Sequence, residues 1–416
     1  MSNEAMTRGK AAAAWLLVAA MLAAGFLILT GVDRPFNDEV FHAAQIRLYL
    51  ADENAILPQL TILPLYHAIV AAVADPLGGG SLPLLRVISF AGSVLVIPAF
   101  YLLCRRTAPS DAARRTLILV CIPILFPFFF LLYVDLWALA LILLAVERAM
   151  AGRALHSVLA ILAATALRQP SILFLQMPWI CTVVSAGGGL LPLLRTPSKW
   201  RQLVKASLPY VLAGLAFLAF VAWNGGVSMG DHERQSITLN LSNFWFMLMV
   251  FWILWLPWHL GRIRRIWSQL RRAPVASALL LVLGFLLYWT TFHNSHPYNQ
   301  FSPHYFLRNA ALVEMFRQDW IRVLAFVPVA WSLLSLWVTP LGERRFYHLY
   351  WIAFLSLLPL PLIEVRYYLP LFALWLAFRS PADSLSRPRT EWATLLWMAA
   401  LSLGMVWGIS RGDFFP

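Results

Sequence analysis

Asp38 and Glu39 stand side by side near the start of the chain, followed by His42, Gln45 and Tyr49. Offsets of four, seven and eleven residues from Asp38 put His42, Gln45 and Tyr49 with it on one face of a helix. Asn37 or Asp38 can cap that helix, and Glu39 falls in its first turn, where the dipole favours an anion. Val40, Phe41, Ala44 and Leu48 form an apolar flank, the pattern of an amphipathic helix lying at a membrane interface. A carboxylate in such a place either caps the helix or acts as a base toward a hydroxyl.

Further polar groups interrupt an otherwise apolar chain at a few points. They are Tyr133-Val134-Asp135, Arg168-Gln169-Pro170, Asn224-Gly225-Gly226 with Gly230-Asp231 following, and Glu364-Val365-Arg366-Tyr367-Tyr368. Asp135 and Arg168 abut apolar runs, so each needs a partner or solvent. A structural bridge between them and a functional role both stay open. His304 and Arg308, four apart, can present two cationic donors to a phosphate. The spacing of His293, His296 and His304 fits no compact metal motif, and no metal or cofactor is expected. Cys104, Cys121 and Cys181 are too scattered for a disulfide framework.

The elements that must hold these groups are membrane helices. The 416 residues are 61% apolar and 12% charged, with a mean hydropathy of +0.72, which excludes a soluble globular protein. Unbroken apolar runs, without alternation, exclude a membrane β-barrel. Thirteen spans are expected: 11–30, then 84–103, 116–132, 135–148, 155–167, 171–186, 207–223, 241–259, 274–292, 321–339, 346–361, 366–379 and 391–409. The apolar stretch Pro64–Pro76 would rise only about 20 Å as a helix, short of the ~30 Å hydrocarbon core. Leaving it out of the count puts the Arg-rich loops inside and the acidic excess outside, as the positive-inside rule requires. Orientation thus explains the net charge of +13, and nucleic-acid binding has no support. The chain reads as a single membrane domain over 1–416, with 32–83 as a long first external segment carrying interface helices. The polar groups above all fall on that external face, which points to a shared cavity there.

Taken in order, Pro35-Phe36-Asn37-Asp38-Glu39-Val40-Phe41-His42, Leu63-Pro64-Leu65-Tyr66, Arg168-Gln169, Asn224-Gly225-Gly226, His304-Tyr305 and Glu364-Val365-Arg366-Tyr367-Tyr368 form a pattern. The chain resembles the polyprenyl-phosphate-sugar-dependent glycosyltransferases of the GT-C type. Within these it is most similar to the α-1,2-glucosyltransferases that add the terminal glucose to a lipid-linked N-glycan precursor. It departs from their pattern at Pro170, at Val134-Asp135 and at Gln300-Phe301-Ser302-Pro303. The resemblance implies a GT-C bundle with its active site on the external or lumenal face and Asp38 as the catalytic carboxylate. It also implies a polyprenyl- or dolichyl-phosphate sugar as donor and a lipid-linked glycan or envelope hydroxyl as acceptor.

On that footing Asp38 is the expected base, with Glu39 beside it orienting the loop or the acceptor. Arg308, His304, Arg366 and Arg168 are the expected phosphate ligands. His42, Gln45, Gln169, Asn224, Asp231 and Tyr367 are expected to bind substrate. One base without a second nucleophilic carboxylate implies a single displacement with inversion. The setting would be a bacterial inner membrane with a periplasmic site, or the endoplasmic reticulum in a eukaryote. Transfer of mannose or aminoarabinose, a lipid-linked-sugar flippase and a non-catalytic sugar-lipid binder are the other readings.

Overall fold

The computed structural model describes residues 3–187, 195–230, 239–293 and 310–413, and its regular elements are helices. No strand forms among the described residues; one backbone bridge joins Leu341 to Arg379. Helix α1 (Asn3–Thr30) leads into the first loop, which contains α2 (Glu39–Leu50) and α3 (Leu65–Ala74). Two helices nearly in line, α4 (Leu82–Ser93) and α5 (Val96–Thr107), then form a 26-residue apolar rod. Pro197–Asn224, Pro274–Thr291, Asp319–Trp337 and Pro388–Arg411 are also long and apolar enough to cross a bilayer. Their outward faces are dense in Leu and Val, as lipid contact requires. The protein is a multi-pass integral membrane protein.

The two loop helices behave as their length and pattern predict. With ten residues α3 rises about 15 Å, half of what a span needs. It packs its Tyr66, His67 and Val70 inward against α2 and α4. On α2 the polar stripe turns into the protein, burying Glu39, His42 and Gln45, while Val40 and Phe41 face outward. The orientation is that of an interfacial helix whose apolar flank meets lipid.

The run 116–132 is not one spanning helix. Helix α6 (Ala112–Val120) stops before Pro123, and a 3-10 turn occupies Phe126–Phe129 around Pro127. Each proline removes a helix donor and blocks the preceding turn. The segment is apolar because it is core: Phe126, Phe128, Phe129, Phe130 and Leu131 are wholly enclosed. Irregular backbone at this depth must find partners. The Leu131 carbonyl accepts from the Ser89 hydroxyl at 3.1 Å, and the Leu132 N–H donates to Glu39 at 2.7 Å. Helix α7 (Asp135–Met150) follows and lies close on α4, where a Cβ on Gly92 would collide with Trp137. Helices α8 (Ala154–Leu167) and α9 (Gln176–Gly187) complete the described N-terminal half.

At the far ends of the helices leading away from the loop, a buried ion network ties the chain's halves together. Arg115 donates to Asp111 and to the carbonyls of Leu376 and Ala377, while Ser384 donates to Asp111 at 2.6 Å. Arg262 pairs with Asp383, and Arg379 grips Glu391 in a bidentate pair at 2.9 and 2.7 Å. Removing one partner leaves a charge stranded in a dry core, a cost of about 3–5 kcal/mol. Arg379→Ala should therefore sharply lower the thermal midpoint in detergent, and Arg379→Met with Glu391→Met should recover most of it. Equal midpoints for the single and double variants would contradict this account of the pair.

Candidate active site

Everything at the site is built around one residue pair. Glu39 is fully buried, and its four acceptor positions are all taken. Oε1 accepts from Arg86 Nε at 3.0 Å and from the Leu132 N–H at 2.7 Å. Oε2 accepts from Arg86 Nη2 at 2.6 Å and from the Phe36 N–H at 2.8 Å. Arg86 spends its remaining donors on the carbonyls of Leu29 and Val32 (2.8 and 2.6 Å from Nη1) and Arg34 (2.9 Å from Nη2). The pair thus pins the end of α1, the loop after it, the first turn of α2 and the 131–132 chain to α4. Glu39, expected beside Asp38 to orient the loop or the acceptor, is not part of the cavity lining described below, and its bonds hold this loop junction.

Asp38 has the opposite fate. Asn37 takes φ +47°, a left-handed conformation that Asn tolerates better than most residues, and the chain turns into α2. Asp38 occupies the N-cap position, yet its side chain makes no capping bond. Its N–H donates to the Tyr133 hydroxyl at 3.1 Å, which fixes the residue while the carboxylate points into a cavity. There Arg366 Nη2 donates to Asp38 Oδ2 at 2.9 Å.

The cavity holds about 440 Å3. Its polar lining includes Asp38, His42, Asp135, Arg168, Gln169, Glu364 and Arg366. Its apolar lining includes Phe41, Leu60, Ile172, Phe217 and Leu360. Arg366 also pairs with Glu364 and lies 3.8 Å from Asp135. Asp135 in turn pairs with Arg168. Among the described residues, three carboxylates therefore share two guanidiniums. The rings of Tyr133 and Tyr367 sit 5.1 and 5.4 Å from Arg366 and Arg168, supplying cation–π support.

The polar groups here are dry enough for burial to change proton affinities. Burial, then the fields of Arg366 and Arg168, pull the His42 pKa down to about 3. His42 is thus neutral, and its Nδ1 lies 2.8 Å from Nε2 of buried His67, so one ring donates and the other accepts. Burial, then repulsion from Arg366, draws Arg168 down to about 10, which leaves it charged at neutral pH. Burial and the Asp38 charge push the Tyr133 phenol well up, so it stays protonated.

Not every expected substrate ligand reaches the cavity. Asp38, His42, Arg168, Gln169, Arg366 and Tyr367 do. Gln45 is buried elsewhere, donating to the Ala55 carbonyl at 2.9 Å and accepting from the Leu57 N–H at 2.8 Å, and so shapes the loop. Asn224 caps its own turn by donating to the carbonyls of Gly226 and Ser228, with Gly225 at φ +74°. That turn lays Val227 and Ser228 along the cavity and brings the Gly230 N–H to the Leu60 carbonyl, where a Cβ would strike Pro58. His304, Arg308 and Asp231 lie outside the described residues. Among the described residues no cluster of three His, Cys, Asp or Glu is placed to hold a metal ion.

Sequence reasoning missed Arg86 and His67, whereas the bridge between Asp135 and Arg168, one of the two readings left open, is present. Arg86 carried a signal: it is a lone guanidinium inside an apolar run, and such a charge demands a buried partner.

A membrane protein whose described residues are helical, with a charged cleft beside its first long loop, is the class these features define. Within that class, the chain belongs to the DIE2/ALG10 family, whose profile matches residues 32–188 and 190–377. It is 27% identical over 202 residues to the Dol-P-Glc:Glc(2)Man(9)GlcNAc(2)-PP-Dol alpha-1,2-glucosyltransferase of Arabidopsis thaliana, covering 45% of this chain and 37% of that one. To the protein of the same name from Debaryomyces hansenii it is 28% identical over 270 residues, 55% of this chain and 56% of that one. The chain thus spans between a third and about half the length of these two relatives. Among solved structures, ArnT from Cupriavidus metallidurans bound to undecaprenyl phosphate is similar at a TM-score of 0.44 and 15% identity, covering 95% of this chain and 75% of that one.

Two outcomes follow for the site. Glu39→Gln should lower the thermal midpoint, because stranding the buried Arg86 charge costs about 3–5 kcal/mol, whereas Asp38→Asn should leave the midpoint near that of the wild type. Equal midpoints for the two variants would contradict the division of labour between the neighbouring acids. His42 is neutral when folded and takes a proton near pH 6.5 when unfolded, so its contribution to stability is full above pH 6.5 and falls as pH drops toward 3. His42→Gln should therefore flatten the loss of thermal stability between pH 6.5 and 4, by up to about 1.4 kcal/mol per pH unit.

Proposed function

We propose that the protein is an inverting membrane glycosyltransferase. It moves a hexose, glucose by its family relationship, from a polyprenyl- or dolichyl-phosphate donor to a hydroxyl of a lipid-linked glycan or envelope acceptor. The observation that carries the reading is the Asp38 carboxylate, making no capping bond and lining a cavity that also holds Arg168, Arg366 and apolar side chains. Such a cavity suits a ligand with a sugar, an anionic link and a hydrocarbon tail.

Asp38 takes the proton of the attacking hydroxyl as its oxygen bonds to the anomeric carbon. The bond from that carbon to the phosphate oxygen breaks on the opposite side, and the lipid phosphate leaves with the electron pair. Arg366 and Arg168 stabilise the charge that develops there, so the leaving group needs no acid. Displacement from one face inverts the centre, converting a β-linked donor into an α-linked product. Polar residues such as His42, Gln169 and Tyr367 line the space beside Asp38 and are placed to contact sugar hydroxyls.

The test is transfer of labelled glucose from a polyprenyl-phosphate donor by protein reconstituted in liposomes with a lipid-linked glycan acceptor. Asp38→Asn should reduce the rate by roughly 10²- to 10⁴-fold while the protein stays folded. Near-normal turnover by that variant would remove Asp38 from the mechanism, and retention of the anomeric configuration would exclude the single displacement.

A further inference from the structure

Arg366 is claimed from three sides at once. Its Nε edge pairs with Glu364, its Nη1 faces Asp135 and its Nη2 donates to Asp38. Nη1 stands 3.8 Å from Asp135, beyond hydrogen-bond reach, so the guanidinium keeps uncommitted N–H groups. A lipid phosphate arriving at this guanidinium competes with all three carboxylates for its charge, and burial decides which one yields. The Asp135 and Glu364 side chains are 2% and 10% exposed, and Asp135 is also locked to Arg168. Stripping either of its partner would leave a charge in a dry site, at the full desolvation cost. The Asp38 side chain is 27% exposed and makes no capping bond, so it can swing off Arg366 within the cavity and find water or a hydroxyl. Its backbone need not move, because the N–H is held by Tyr133.

We infer that Arg366 is a shared partner which the donor's phosphate takes from Asp38, so that donor binding itself frees the base. No covalent bond changes in this step; one charge-assisted hydrogen bond is exchanged for another. Asp38 is engaged while the donor is absent and becomes available once the anomeric carbon is in place, which orders the substrates donor first. The inference rests on the lipid-phosphate donor proposed above, and it gives Asp38 a second role as competitor for the phosphate site.

The test is the affinity of purified protein in nanodiscs for undecaprenyl phosphate and dolichyl phosphate, which needs neither acceptor nor turnover. Asp38→Asn should bind these lipids more tightly than the wild type, by roughly 10-fold, the worth of one charge-assisted hydrogen bond. Arg366→Gln should bind them more weakly. In the Arg366→Gln background, adding Asp38→Asn should change affinity less than about 2-fold, since the competition has gone. Asp38→Asn binding no more tightly than wild type would overturn the inference. So would an equal gain in the Arg366→Gln background, since that gain would be general charge relief. Wild-type protein that binds neither lipid phosphate would overturn the donor assignment itself, and the inference with it.

Discussion

The Glu39–Arg86 pair is the constraint on which the site depends. A carboxylate and a guanidinium without solvent are costly apart and tolerable together only when every donor and acceptor is met. Here all of them are met, and most of the partners are backbone groups from stretches far apart in sequence. One ion pair therefore fixes the exit of α1, the entry of α2 and the irregular chain around Leu132 in a single arrangement. Asp38 is one residue away. Its position inherits that rigidity without sharing the burial, and this is how a single Asp-Glu dipeptide supplies an anchor and a reactive group.

The same chemistry is used twice more in the molecule with different outcomes. In the network of Arg115, Arg262 and Arg379 the charges are enclosed and matched, and the result is a clasp between the chain's halves. In the cavity three carboxylates meet two guanidiniums beside open space, so the pairing can be exchanged. Burial separates the two cases: a charge that can reach solvent can change partners, and one that cannot is structural.

Much of this was legible in the sequence, for physical reasons that differ by residue. The periodicity of Asp38, His42 and Gln45 gave the first-loop helix and its inward face, because helical spacing is a local property. The length of Pro64–Pro76 separated a loop helix from a span, because bilayer thickness is fixed. The joining of Asp38 to Arg366 was anticipated only as a shared external face, since 328 residues separate them and no local rule reports such a contact. Gln45 and Asn224 carried polar side chains that read equally well as ligands or as loop fasteners, and only the backbone around them decides. The run 116–132 was read as a span because apolarity does not distinguish lipid from protein core, although Pro123 and Pro127 already argued against one helix.

A structure of the protein with a polyprenyl-phosphate sugar bound tests the central claim most directly. The account predicts the phosphate within hydrogen-bond distance of Arg366 and Arg168, the prenyl chain along Phe217 and Leu360, and the Asp38 carboxylate turned away from Arg366 beside the anomeric carbon. A phosphate seated away from both arginines, or Asp38 remote from the sugar, would contradict it.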